Sequence, residues 1–311
     1  MLRYVVVRLL SFIPNLLLIS LFTFALGYYG PGDPVRVLMG EQWADEATYQ
    51  VLRHQYGFDR PFIIQYFDFI GKAVRGDFGR SVLLNMRVSE LLFPALGVTA
   101  RLGLMGLASL AVLGCALGVL AAIKQNTWID HLIVVPGIVL QSIPVFVLGP
   151  MLMMFLVLQL KVMNTPVGWN GILSTKNILP VFLLMAVGQL AVIRQTRESI
   201  INIRSSDFVR TAKAKGLPDY LILWRHILRN ALTPVVTTLG ILSGWLLTGS
   251  IFIESIFSIP GFGSLYYGAL KTRDYHLLIS GTLVASFVIM TINLIVDISY
   301  GFLDPRVRLS R

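Results

Sequence analysis

The sequence predicts an all-α polytopic membrane protein with six transmembrane helices, and three observations carry that reading. Of its 311 residues 55% are hydrophobic and 14% charged, against about 25% charged in ordinary soluble domains. The mean hydropathy is +0.73. So apolar a chain cannot clothe itself in polar surface, which excludes a soluble globular or disordered protein. Secondly, six uncharged runs stand at 9–29, 102–123, 132–160, 178–193, 231–253 and 277–296. Five hold the roughly 20 residues a helix needs to cross the hydrocarbon core, and 178–193 needs its flanks. Thirdly, the charges are sorted. Fourteen of the 26 Lys and Arg fall on one side: Arg3, Arg8, Lys124, eight between Arg194 and Arg229, and Arg306, Arg308 and Arg311. The short segments of the other side hold Lys161, Lys176, Lys271 and Arg273. By the positive-inside rule both termini are cytoplasmic. The net charge of +10 is this bias rather than a nucleic-acid patch.

Residues 1–94 form the first region, a helix at about 9–29 followed by a long extracytoplasmic segment. Arg3, Arg8 and Ala25-Leu26-Gly27 resemble a signal peptide, but the apolar run exceeds the 7–15 residues of a signal core. It is read as a retained span. Gly30-Pro31-Gly32-Asp33-Pro34 stops it sharply. The outer segment contains Phe62, Ile63, Tyr66, Phe67, Phe69 and Ile70 at the spacing of a short amphipathic helix, lying on the membrane or on the bundle. Its seven basic residues are balanced by eight acids.

Residues 95–303 form a five-helix core, and 304–311 a cytoplasmic tail. Helix two is predicted from about Ala95 to Ile123, with Arg101 interfacial or facing a cavity. A turn through Asn126–Asp130 leads into helix three, interrupted by Pro136, Pro144 and Pro150 around Gln141-Ser142. Each proline frees a carbonyl that lipid cannot satisfy, so the helix is either a kinked packing element or a bending wall of a path. Helix four ends near Arg194. A cytoplasmic loop, 195–230, precedes helix five; Glu254 to His276 lie outside, and helix six precedes the tail. Cys115, the sole cysteine, lies mid-span and excludes an internal disulfide.

Catalytic chemistry is missing. No G-x-x-x-x-G-K-[ST], G-x-S-x-G or H-E-x-x-H occurs, and His54, His131, His226 and His276 are scattered, so neither a catalytic group nor a metal site is assigned. Energy for any work comes from elsewhere.

The loop carries the strongest signal. Ser205, Ser206 or Asp207 can cap a helix start. Phe208, Val209 and Ala212 fall on one face; Arg210, Lys213 and Lys215 spread over the others. Gly216 and Pro218 end the helix, and a second helix runs over 220–232 back to Pro234. A mere connector needs 2–8 residues, and this loop spends about 36 on structured material.

The stretch Asp207-Phe208-Val209-Arg210-Thr211-Ala212-Lys213-Ala214-Lys215-Gly216-Leu217, with Asn230-Ala231-Leu232-x-Pro234, resembles the coupling-loop signature of ABC importer permeases. Pro31-Gly32-Asp33-Pro34, Gln65-Tyr66, Gly76-Asp77-Phe78-Gly79-Arg80-Ser81, Ile259-Pro260-Gly261-Phe262-Gly263, Arg273-Asp274-Tyr275, Asn293-x-x-x-Asp297 and Leu303-Asp304-Pro305-Arg306 resemble its peptide/nickel branch. Lys124-Gln125-Asn126-Thr127 and Gly168-Trp169-Asn170-Gly171 look most like oligopeptide or dipeptide permeases. The resemblance implies a type I ABC importer permease architecture in a bacterial or archaeal cell membrane. It also implies a homologous second permease, two ATPase subunits that hold the ATP and Mg, and an extracytoplasmic substrate-binding protein. This chain would bind no cofactor, form half the path, and couple through 207–217.

Candidates for the path lining are Gln141, Ser142, Gln189, Ser243, Thr248, Ser250, Ser286 and Asn293, each with a strong alternative reading as a helix-to-helix hydrogen bond. Asp297 is either functional or a partner for an interfacial cation. Glu254, Pro260, Gly261, Phe262 and Gly263 are candidates for a binding-protein contact or a gate. The competing class is an ATP-independent carrier or channel subunit. It should carry buried acids at mid-span, and none is found there.

Overall fold

Long apolar runs have one good backbone in lipid, the helix, which satisfies its own N–H and C=O groups. The computed structural model describes residues 2–29, 46–55, 59–81, 83–247 and 251–303. Among them the helices are α1 (Leu2–Tyr29), α2 (Glu46–Gln55), α3 (Phe62–Ala73), α4 (Val88–Ile123), α5 (Trp128–Ser142), α6 (Val145–Met153), α7 (Ile178–Arg204) and α8 (Asp207–Ala214). They continue with α9 (Asp219–Leu221), α10 (Leu228–Leu247), α11 (Ile251–Ile256), α12 (Phe262–Thr272) and α13 (Tyr275–Leu303). Extended pairing among the described residues is limited to one bridge, Arg80 with Arg87.

Among the described residues four helices, α1, α4, α7 and α13, are long and apolar enough to cross a membrane, and α5 with α6 and the turn after it make a fifth if the bent pair is one span. The run 231–253 falls on α10 and α11, with 248–250 between them outside the described residues.

Among the boundaries that differ from expectation, two shift because burial overrides apolar run length and one because a proline intervenes. α4 begins at Val88 rather than near Ala95, since Val88 and Leu92 are buried about two turns and one turn before Ala95. α7 continues to Arg204 rather than ending near Arg194, because Thr196, Ser199 and Ile200 still face the interior. Of the three prolines in the third run, Pro136 and Pro150 sit inside α5 and α6, and Pro144 alone separates two helices, at a bend of 105°. Ile143 before it is extended, the conformation that a following proline favours.

The chain forms two compact units, one of 99–259 with 292–303, the other of 2–98 with 260–291. In the first, α7 is the central helix, packed by α5, α6, α10 and α11. Glycines let α4 lie almost on the α7 backbone: a Cβ at Gly118 would stand 2.9 Å from the Ile193 carbonyl oxygen and 2.6 Å from Thr196 Cβ, and one at Gly114 2.7 Å from Val192 Cγ1. In lipid, where apolar surface gains little by leaving the solvent, such close packing is what associates helices.

In the second unit α3 packs on α1. Tyr66 is buried, its hydroxyl 3.0 Å from Ser20 Oγ and donating to the Leu17 carbonyl at 3.1 Å, while Phe24 meets Phe62, Tyr66 and Phe69. The opposite face, Ile63, Ile64 and Phe67, is exposed and suited to lipid. Here the stretches 76–81 and 273–275 meet. Ser81 donates to the Asp274 carboxylate, Ser280 donates to the Phe78 carbonyl at 3.2 Å, and Gly79 leaves room for His276. Asp274 also accepts from the Leu277 N–H, capping α13.

Candidate functional site

α8 is a two-turn helix held on a short platform. Its Val209 and Ala212 are buried in an apolar cluster with Ala122 of α4, Ile200 of α7, Ile222, Ile227 and Ala231. The helix thus touches the ends of three long helices through two small side chains, which lets its backbone come close.

Its termination is unusually well defined. Gly216 has φ +77°, which glycine adopts at no steric cost. Its N–H donates to the Lys213 carbonyl at 2.9 Å and the Leu217 N–H to the Ala212 carbonyl at 3.3 Å, the two bonds of a Schellman stop. Leu217 then packs back on the same cluster. Pro218 starts α9, and a π-helical turn, Ile222–Ile227, carries it into α10.

Two details of the expected helix are corrected. Phe208 does not share a buried face with Val209 and Ala212; it is 46% exposed, because position i lies some 100° from i+1 on a helix and the cluster takes only the Val209 side. No side chain caps the N-terminus either. Ser206 occupies the cap position, but its hydroxyl donates to the Ile203 carbonyl at 2.6 Å and Ser205 donates to Asn202 at 2.8 Å. Both hydroxyls close the end of α7 instead. Asp207 and Arg210 form an exposed 3.6 Å pair. The exposed residues of the helix and its stop therefore include Asp207, Phe208, Arg210, Thr211, Lys213, Ala214 and Lys215: one aromatic ring among three cations and one acid.

The polar candidates of the spans among the described residues sit in different surroundings. Gln141 and Ser142 are exposed at the last turn of α5, beside the bend, where Ser142 donates to the Ile138 carbonyl at 2.8 Å. Gln189, on α7, is buried with neither amide atom hydrogen-bonded among the described residues. Ser243 is buried and donates to Gly240 at 2.7 Å. Asn293 is exposed, its side-chain oxygen near Gly244. Ser286 bonds back to Thr282 at 2.7 Å. Thr248 and Ser250 lie outside the described residues. Asp297 is half-buried, and Arg101 is exposed on α4.

Glu254 is fully buried, accepting a hydrogen bond from Thr99 at 2.7 Å. It has no surface to offer a partner in this arrangement, since its short helix α11 turns the carboxylate inward. Gly261, Phe262 and Gly263 are buried too, and Pro260 is exposed. Pro260 and Gly261 line a largely apolar cavity of about 580 Å³ with Leu83, Leu91, Ala269 and Asp274.

Sequence reasoning missed three polar links: Ser81 with Asp274, Thr99 with Glu254, and a bidentate pair of Asp130 with Arg197. For the first, both partners stand in the singled-out stretches 76–81 and 273–275, and nothing in one sequence couples them. Arg197 was submerged in a run of loop cations and Asp130 in a turn.

Comparison with known proteins gives a consistent result. Residues 114–309 match the family model described as "Binding-protein-dependent transport system inner membrane component", and residues 1–98 match the model of the N-terminal part of such membrane components. The chain is 36% identical to a glutathione transport system permease protein, GsiC, of Shigella flexneri serotype 5b, over 99% of both chains. It is 35% identical to GsiC of Escherichia coli strain K12 and 34% to that of Salmonella typhimurium strain LT2, each with 99% coverage. Among solved structures it resembles the inward-facing MetNI methionine ABC transporter, with a TM-score of 0.58 at 15% identity, covering 69% of this chain and 96% of that one; that likeness bears on fold alone.

Proposed function

We propose, since the chain belongs to the family of binding-protein-dependent transport system inner membrane components, that this ABC importer permease subunit takes a peptide-like substrate and couples to its ATPase through α8. The observation that carries the coupling role is the division of α8 into two faces. Val209 and Ala212 fix it to α4, α7 and the start of α10, while Phe208 and the cations face outward on a stopped helix. A groove on a separate ATPase would receive Phe208, and rearrangement of that ATPase on binding ATP would push the platform. ATP shifts the permease only by its differential affinity for the two arrangements.

In this reading α8 and both termini face the cytoplasm, and a second, homologous permease completes the path. The substrate class rests on the relatives, which carry glutathione by name. A path for peptide-like molecules is wide and chemically undemanding, so the scattered hydroxyls and amides of the spans suit it, and selectivity belongs to the binding protein.

The test is co-purification from the native host in mild detergent, with mass spectrometry of what accompanies the chain. P-loop ATPases and a second permease should appear, and Phe208→Ala should lose the ATPases while keeping the permease partner. A chain that emerges alone or as a homodimer without ATPase overturns the reading. Import of labelled glutathione against trialanine then separates the substrates.

A further inference from the structure

Among the described residues the first unit holds a bidentate ion pair between distant parts of its chain, and the coupling role leaves it unused. Asp130 lies in the first turn of α5, its side chain 5% exposed; Arg197 lies on α7, 23% exposed. Arg197 Nε donates to Oδ1 at 2.9 Å and Nη2 to Oδ2 at 2.7 Å. Oδ2 also accepts the Asn126 backbone N–H at 3.0 Å, in the turn where Asn126 adopts φ +60°. One carboxylate therefore clamps three things: the turn that leaves α4, the start of α5, and the side of α7.

The position matters more than the strength. Arg197 stands seven residues, about 10 Å of helix, before the end of α7 at Arg204, from which α8 follows at Asp207. It is one residue beyond Thr196, where Gly118 brings α4 onto α7. α5 leads in the other direction to Gln141, Ser142 and the 105° bend at Pro144. A buried pair adds little net stability over an apolar substitute but fixes geometry, since a two-pronged fork permits one orientation.

We infer that the Asp130–Arg197 pair is a positioning device that ties α5 to α7, so that displacement of α8 carries the bent α5–α6 element with it rather than slipping past it. The inference rests on the coupling role proposed above. In this inference both residues act through the helices they join.

The test uses the complete transporter, with both permeases, ATPases and binding protein, in proteoliposomes. Spin labels replace the exposed Trp128 at the start of α5 and Asn202 near the end of α7, in a Cys115→Ser background. With the native pair, the label distance stays single and narrow with and without ATP and vanadate. With Arg197→Lys or Asp130→Asn it broadens or shifts on trapping, and ATP hydrolysed per labelled glutathione imported rises about threefold or more. Asp130→Arg with Arg197→Asp restores part of both. Where removal of one charge prevents assembly, Arg197→Lys, which keeps the charge and loses the fork, decides. Wild-type distances and ratio in an assembled Lys variant overturn the inference. A label at Lys213 that ignores ATP in the native protein defeats the coupling role itself. Failure to import glutathione defeats only the substrate, since the distances are read without it.

Discussion

Substitution at Gly216 separates a structural role of the α8 stop from steric accident. A Cβ there would meet nothing within 4 Å, so alanine introduces no clash and its whole effect is conformational. Holding an L-residue at φ +77° costs roughly 1–2 kcal/mol, which at 1.4 kcal/mol per decade lowers the population of the intact stop about five- to thirtyfold. Asparagine tolerates this region and should cost less. Proline is far worse: its φ is locked near −65°, it deletes the N–H that reaches Lys213, and it disfavours the helical conformation of Lys215, now at φ −78° and ψ 1°. If the ATPase binds only the intact form, its apparent affinity falls by the fraction lost. Titrating ATPase onto the permease pair in nanodiscs should rank Gly, then Asn, then Ala, with binding abolished for Pro at unchanged permease yield. Full import by Gly216→Pro, or equal affinities for Asn, Ala and Pro, would refute the reasoning.

Other sites give independent checks. Ala212→Leu overfills the cluster beneath α8 and should cost about 1–3 kcal/mol of stability, lowering the melting temperature in detergent, whereas Phe208→Ala should leave it unchanged and lose only the ATPase; a fall in melting temperature with Phe208→Ala contradicts the two-face description. Gly118→Ala should destabilise by a similar amount, because its Cβ meets backbone at 2.9 Å, while Gly244→Ala, with 3.6 Å to Asn293, is tolerated; parallel thermal scans decide. Gln189→Leu removes a buried amide with no hydrogen bond among the described residues and should raise stability by about 1 kcal/mol or more while reducing import; unchanged import removes Gln189 from the path lining. Tyr66→Phe loses the hydroxyl contacts with Ser20 and Leu17 and should cost about 1 kcal/mol with no effect on ATPase binding.

The fold and the short α8 helix were legible in the sequence to different depths, for physical reasons. Spanning helices announce themselves because lipid forbids charge over 20 residues, and a glycine followed by proline marks a helix stop wherever it stands. Boundaries set by packing were not legible: Val88 and Leu92 extend α4, and Ile200 extends α7, through contacts with residues far along the chain. The faces of α8 show the limit most clearly. Phe208, Val209 and Ala212 are all apolar, and periodicity assigns them together, yet the cluster has room only for the small pair. Phe208 is left exposed, so the error in the sequence reading and the residue proposed to meet the ATPase are one position. Polar links fail for the opposite reason. Arg197 is one cation among eight in its stretch, and only a partner 67 positions away distinguishes it. In a membrane bundle the residues that set geometry resemble those that merely set topology, and the partner, not the residue, separates the two.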